Sequence, residues 1–463
     1  MIKYEAILIQ RLEDYDLIYK KLPEPFRKNP YVNKWIEILK YKIGLRCSGL
    51  LLEYPYYDSE YLSSYYQYYI KKFNVYGKES CRIHFIREST YCGYITVSPI
   101  VHYWNLSKSY LLPELLLEEK AFLMLSDFEA NVFGSLQKVA AFPWMNQQRD
   151  FSMCAHVAAW SIMKYYGNEH TGYKDINIGD IVDSVPEYTN RKLPSKGLNF
   201  QQMAEIFREY GISPLIVKKE KGHEEKFYQE LLCYVESGIP IIAAIDKKSH
   251  VVAVIGHGEL DYNILQEKRG LIDSSCCITS IIVNDDNVFP YFPVNRKLKD
   301  GGNDNGYAMA DIDFILVPLY NRVHQEYSVL YEKIVDYLET GNLNIAEDSV
   351  IRVYLASANS LKRRALQDKS MDQLLKDILL RLEMPKLVWC AEISSKDEYK
   401  NRIVSARMII DSTASPGAST PWLFVHDRGK IRYYNAGKWY ETLHKIEAYN
   451  MYQHNLKEVE PWK

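Results

Sequence analysis

The chain has 463 residues, 47% apolar and 25% charged, which is ordinary for a folded protein and long enough for two to four domains with a buried core. A formal net charge of −2 supplies no bulk attraction to nucleic acid or to a membrane surface, and no apolar run reaches membrane-spanning length. The eight cysteines show neither a Cys-x-x-Cys pair nor finger-like Cys/His spacing, which argues against a structural zinc and a disulfide scaffold.

Residues 1–137 read as an N-terminal α+β domain without an assignable role. Helical patterning runs from Pro30 to Lys40 and from Glu60 to Phe73. Strands are expected at Cys81 to Arg87 and Tyr94 to Val101, with a buried one from Ala121 to Ser126. The opening residues carry charges inside their apolar stretch and do not read as a secretion signal. Tyrosine is abundant, with 39 residues and a cluster from Tyr54 to Tyr69. That cluster suits either a recognition face or an amphipathic helix resting its rings on the core, and the second reading is preferred.

Residues 138–320 carry the chemistry. Gln148 precedes Cys154, which opens an alanine-rich apolar stretch ending at Tyr165-Tyr166-Gly167. Ser249-His250 then introduces the β-branched run Val251 to Ile255, and a further apolar run, Ile278 to Val283, ends in Asn284-Asp285-Asp286-Asn287. A third run, Ile239 to Ile245, reads as another strand. The span Gly258 to Cys277 exceeds what a hairpin needs and is expected to be a surface excursion, with adjacent Cys276 and Cys277 in a strand or loop. Asp300 to Gly306, rich in Gly and Asn, is expected to be a flexible loop.

Residues 321–463 read as a C-terminal α+β domain, its role also unassigned. Helices are expected at Tyr327 to Glu339 and Leu374 to Leu382, then strands at Leu387 to Ile393, Arg407 to Asp411 and Trp422 to His426. Asp427 to Lys430 is expected to turn a hairpin into Ile431 to Tyr434.

A thiol, an imidazole and an acid, each at the end of a buried element, make the layout of a cysteine-hydrolase site. Cysteine attacks as thiolate. At the start of a helix, Cys154 would meet unpaired N–H groups and the positive end of the dipole, both of which favour an anion. His250 would take and return the proton, a carboxylate on the next strand would hold its tautomer, and the Gln148 amide would face an oxyanion. His257, after Gly256, is the nearest rival base, and His156 reads as a packing or substrate-edge residue. Asp285 continues the strand and is preferred to Asp286 as the acid, with Asn287 a third choice.

The order Gln-x5-Cys at an apolar helix, His before a valine-rich strand and Asp at a strand end resembles the papain-like cysteine peptidases. It is most similar to the branch that holds bacteriocin-processing, double-glycine-leader peptidases. Gly197 to Gly211 resembles that branch's second helix, and Phe227 to Gly238 followed by Ile239-Pro240 its helix–Gly–Ile-Pro–strand step. The similarity covers roughly residues 140–320. The branch's Cys-Gly-Pro is replaced by Cys154-Ala155-His156, and the Gly-x4-Gly-Lys motif of its transporter fusions is missing.

The resemblance implies an α+β fold: a papain-like central domain, its nucleophile helix packed on an antiparallel sheet, flanked by two α+β domains. It implies Cys154 as nucleophile, His250 as base, Asp285 as orienting acid and Gln148 as oxyanion donor, without cofactor or metal. The expected partner is a protein or peptide substrate whose peptide or isopeptide bond is cut. No nucleic acid or membrane is expected, the flanks are free to dock a protein, and a reducing, cytoplasmic location suits the thiol. Acyl transfer, as in the similar transglutaminases and arylamine acetyltransferases, and a silent binding module remain open alternatives.

Overall fold

A computed structural model describes residues 2–101, 103–185, 192–297, 306–415, 417–418 and 421–463. Most of the expected loop Asp300 to Gly306 lies outside the described residues. The fold is α+β, built on three largely antiparallel sheets.

The N-terminal sheet runs Lys3–Leu8, Gly49–Tyr56, Ser80–Arg87, Thr90–Val97, Leu106–Leu111, each strand antiparallel to the next. The helix Val32–Ile43 buries Val32, Trp35, Ile36, Leu39 and Ile43, the i, i+3, i+4, i+7 stripe that its sequence displays. In the tyrosine cluster the helix Ser59–Gln67 starts where the Asp58 side chain accepts the Tyr61 N–H at 3.1 Å. Tyr61, Tyr65 and Tyr69 then pack inward with Tyr76, while Tyr57 and Tyr66 stay exposed.

The central sheet holds the site. Its strands are β1 (Ala121–Leu123), β2 (Ile212–Lys218), β3 (Ile241–Ile245), β4 (His250–Gly258), β5 (Ser280–Asn284), β6 (Phe292–Asn295), β7 (Phe314–Tyr320) and β8 (Lys457–Val459). The order is β6-β5-β4-β3-β7-β2, all antiparallel. β3 pairs only the first half of β4, from Ile245 opposite His250 to Ile241 opposite Val254. The freed edge from Gly256 to Gly258 is taken by β1, which in turn pairs β8. Gly256 allows that approach, since a Cβ there would lie 2.1 Å from the Phe122 carbonyl oxygen. Helix α1 (Cys154–Glu169) packs across β4 and β3, α2 (Phe200–Glu209) against β2, and α3 (Glu224–Glu236) between β4 and the C-terminal sheet.

The C-terminal sheet runs Leu271–Asp273, Ser349–Ser357, Leu387–Ser395, Ala406–Asp411, Trp422–His426, Lys430–Asn435, Lys438–Leu443. Its expected helices, three strands and hairpin fall where periodicity placed them, within a few residues. Ser349–Ser357 had no clear signal, because it is buried on both faces and shows no alternation.

Several connections depart from expectation. The boundary at 137/138 falls inside Ser135–Ala141, which pairs with Ser126–Val132 as one hairpin. β1 from the first third and β8 from the chain end belong to the central sheet. The excursion from Gly258 to Cys277 is no surface loop: Leu271–Asp273 pairs in parallel with Ser349–Ile351, and Leu265, Ile272 and Cys277 fill the second hydrophobic core. Among the described residues, no helix is long and apolar enough to cross a membrane.

Candidate active site

Cys154 is the first residue of α1, following Met153 in extended conformation. The helix starts there because His156 closes its first turn: the ring Nδ1 accepts the Met153 N–H at 3.3 Å. Burial pushes His156 down to about 4, so the ring is neutral and able to accept. It caps the helix start, a role that its reading as a packing or substrate-edge residue does not include. Ala155, Ala158 and Ala159 are buried, and their small size lets the helix sit close on the sheet. Cys154 itself stays half-exposed beside N–H groups that a helix cannot pair internally.

His250 opens β4 after Ser249, whose left-handed φ of 49° ends a short helical turn. Its Nε2 donates to Asp285 Oδ1 at 3.0 Å, and the Cys154 thiol is near enough to act on the ring's ionisation. With Nε2 given to the acid, Nδ1 is the nitrogen left for the sulfur. Burial alone would lower the His250 pKa. The bonds to Asp285 and Cys154 and the charges of Asp285 and Asp286 override it and raise the ring from 6.5 to about 10. The ring is therefore an imidazolium at neutral pH.

Asp285 follows β5 directly. Burial works against its charge, but His250, the Asn287 N–H at 2.9 Å on Oδ1 and the Tyr307 hydroxyl at 3.0 Å on Oδ2 hold it below the usual carboxylate range. The main chain is tied as firmly. The Asp285 carbonyl accepts Trp144 Nε1–H at 3.0 Å, the Asp286 carbonyl accepts from Asn146 Nδ2 at 2.6 Å, and Asn284 Nδ2 donates to the Pro143 carbonyl at 3.1 Å. These bonds fasten the end of β5 to the segment that leads into α1.

The two adjacent aspartates differ in their distance to His250. Asp286 Oδ1 is 3.8 Å from His250 Nε2, and neither of its oxygens has a hydrogen-bond partner among the described residues. Burial and the neighbouring Asp285 charge raise it to about 7. Asn287 is exposed, its Nδ2 3.4 Å from His250 Nε2. His257 is buried seven residues along β4, roughly 20 Å from His250 at strand spacing. It is 2.8 Å from Glu236, stacked on Phe122 and outside the thiol's reach.

His250 is thus bonded to Asp285 and acted on by Cys154, and Gln148 takes no part in either interaction. It lies half-buried on the loop before α1, its N–H 3.4 Å from Ser152 Oγ and its side-chain oxygen without a hydrogen-bond partner among the described residues. Nothing in the sequence pointed to Tyr307 or Trp144, whose contacts with Asp285 span 22 and 141 residues. His250, Asp285 and Asp286 place ligand atoms within 4.8 Å of one another, the one such group among the described residues. Nε2 and Oδ1 are engaged with each other, so an ion there would have to replace their bond.

Comparison of the chain with protein-family models and with curated proteins finds no match.

Proposed function

We propose that this protein is a papain-like thiol hydrolase that cuts a peptide or isopeptide bond at Cys154. The observation that carries this reading is the His250 ring, bonded to the Asp285 carboxylate at 3.0 Å and raised in pKa by both Asp285 and the Cys154 thiol. A helix that opens with the cysteine and packs on the antiparallel β3–β4–β5 layer supports the papain-like arrangement.

The reacting form is the one in which the Cys154 proton has passed to His250 Nδ1. The thiolate attacks the carbonyl carbon, and the C=O π electrons move to oxygen, which in this reading the Cys154 N–H and the Gln148 amide would receive. Collapse breaks the C–N bond; the leaving nitrogen takes the His250 Nδ1 proton and a thioester remains. His250, now neutral, deprotonates water, which attacks the thioester and releases acid and thiolate. Asp285 keeps the ring oriented throughout without taking its proton.

The protein's eight cysteines are all unbridged, and Cys276 and Cys277 sulfurs stand 4.0 Å apart. This supports a reducing, cytoplasmic setting. The test is twofold. Iodoacetamide at near-neutral pH should label Cys154 faster than any other cysteine. New chain termini should appear in a proteome treated with wild type and not with Cys154→Ala. Labelling of Cys154 at the common rate, or identical termini in the two samples, would overturn the reading.

A further inference from the structure

A groove of about 600 Å³ runs beside β5 and β6, within the size range of ligand sites. One end is at Asn287, whose amide lies 3.4 Å from His250; the other is at Ser280 and Gly258, the far ends of β5 and β4. The five residues of β5, at about 3.3 Å each, make this roughly 17 Å, the length of about five extended residues.

The wall facing β5 comes from the N-terminal third of the chain. Lys34, Ile38, Tyr41 and Lys42 of the helix Val32–Ile43 line it, at i, i+4, i+7 and i+8. They form a second face of that helix, distinct from the one buried in the core. Tyr41 is 79% exposed although it borders the groove, and Ile38 is half-buried. Trp104 and Phe289, with ring centroids 5.6 Å apart, supply aromatic surface, and Trp144 also stacks on Phe289 at 5.5 Å. Three lysines and three glutamates line it, so the charges balance; Lys42 and Glu118 also pair at 3.3 Å.

We infer that this groove binds an extended, uncharged, apolar stretch of the polypeptide substrate, next to the bond presented to Cys154. The identity of that stretch as substrate rests on the hydrolase reading; its binding does not. Balanced charge gives no preference for either sign, and burying an unpaired charge against Trp104, Phe289 and Ile38 would be costly. Continuity through Asn287 brings the bound chain to the Nε2 edge of the His250 ring, the edge that Asp285 also holds. The N-terminal unit thereby becomes part of the specificity apparatus.

Full-length Cys154→Ala protein, immobilised, is offered a random pool of end-capped octapeptides, and the retained peptides are read by mass spectrometry. Leu, Ile, Val and Phe should be enriched about fivefold or more over input, with Asp, Glu, Lys and Arg depleted. Ile38→Asp and Tyr41→Lys, each added to Cys154→Ala, should abolish that enrichment; Tyr41 is exposed enough for its variant to fold even where Ile38→Asp does not. No enriched class, enrichment of charged residues, or enrichment that survives both changes overturns the groove assignment. The enriched peptides are then given to wild type: retention by Cys154→Ala without cleavage by wild type sinks the hydrolase reading and leaves the groove standing.

Discussion

Asp285 grips Nε2 of His250 at 3.0 Å from the far end of the neighbouring strand, and that bond determines which ring nitrogen turns toward Cys154. Asp285→Asn keeps the shape and removes the charge. The His250 ring should then titrate at least about one unit below its value of about 10, followed by NMR of the ring protons. Turnover should fall roughly a hundredfold or more. The sign for stability follows from the raised pKa: His250 stabilises the fold fully below about 6.5, and the contribution is lost as pH rises through about 10. Wild type should therefore lose stability between neutral and alkaline pH more steeply than the variant. An unshifted titration would remove Asp285 from the role.

Gln148→Ala separates catalysis from folding. As an oxyanion donor, its loss should lower turnover by roughly two to three orders of magnitude and leave the melting temperature unchanged. Cys154 alkylation should persist, since it develops no tetrahedral oxyanion. Full activity in the variant would remove the oxyanion role while leaving the thiol–imidazole pair.

Asp286 makes a contrasting prediction about pH. Its carboxyl is raised from 3.8 to about 7 by burial and by Asp285, so the neutral form is the stabilising one. That stabilisation is present at acid pH and is lost as pH rises through about 7. Asp286→Asn removes the titration. The variant should gain at least about 2 °C more in melting temperature, relative to wild type, at pH 8 than at pH 5. An equal change at both pH values would refute it.

Arg352 tests the join between the central and C-terminal sheets. Its Nε donates to Glu236 at 2.7 Å, and its Nη1 to Glu392 at 3.2 Å and to the Tyr452 carbonyl at 2.6 Å. Burial would raise the Glu236 carboxyl, but Arg352 and His257 hold it at about 2. Arg352→Met leaves that carboxylate buried without its main partner and should cost about 3–5 kcal/mol, read as a lower denaturant midpoint. Cys154 labelling per folded molecule should not change. A midpoint within error of wild type would show that the cluster contributes little.

Much of the site was legible because its residues sit at the ends of elements with strong local signals. An alanine-rich apolar run placed Cys154 at a helix start, and β-branched runs placed His250 and Asp285 at strand ends; periodicity and propensity are short-range and survive in the sequence. The Asp427 to Lys430 hairpin was readable for the same reason, since the Asp427 side chain itself accepts the Gly429 and Lys430 N–H groups. The sequence determined these elements and their order. Tertiary structure alone decided which carboxylate meets His250, because adjacent aspartates differ only in the direction the chain end gives them. It also decided that Tyr307 backs Asp285 and that β1 and β8 complete the central sheet. A backbone edge left unpaired from Gly256 onward needs partners, and no local pattern says from which end of the chain they come.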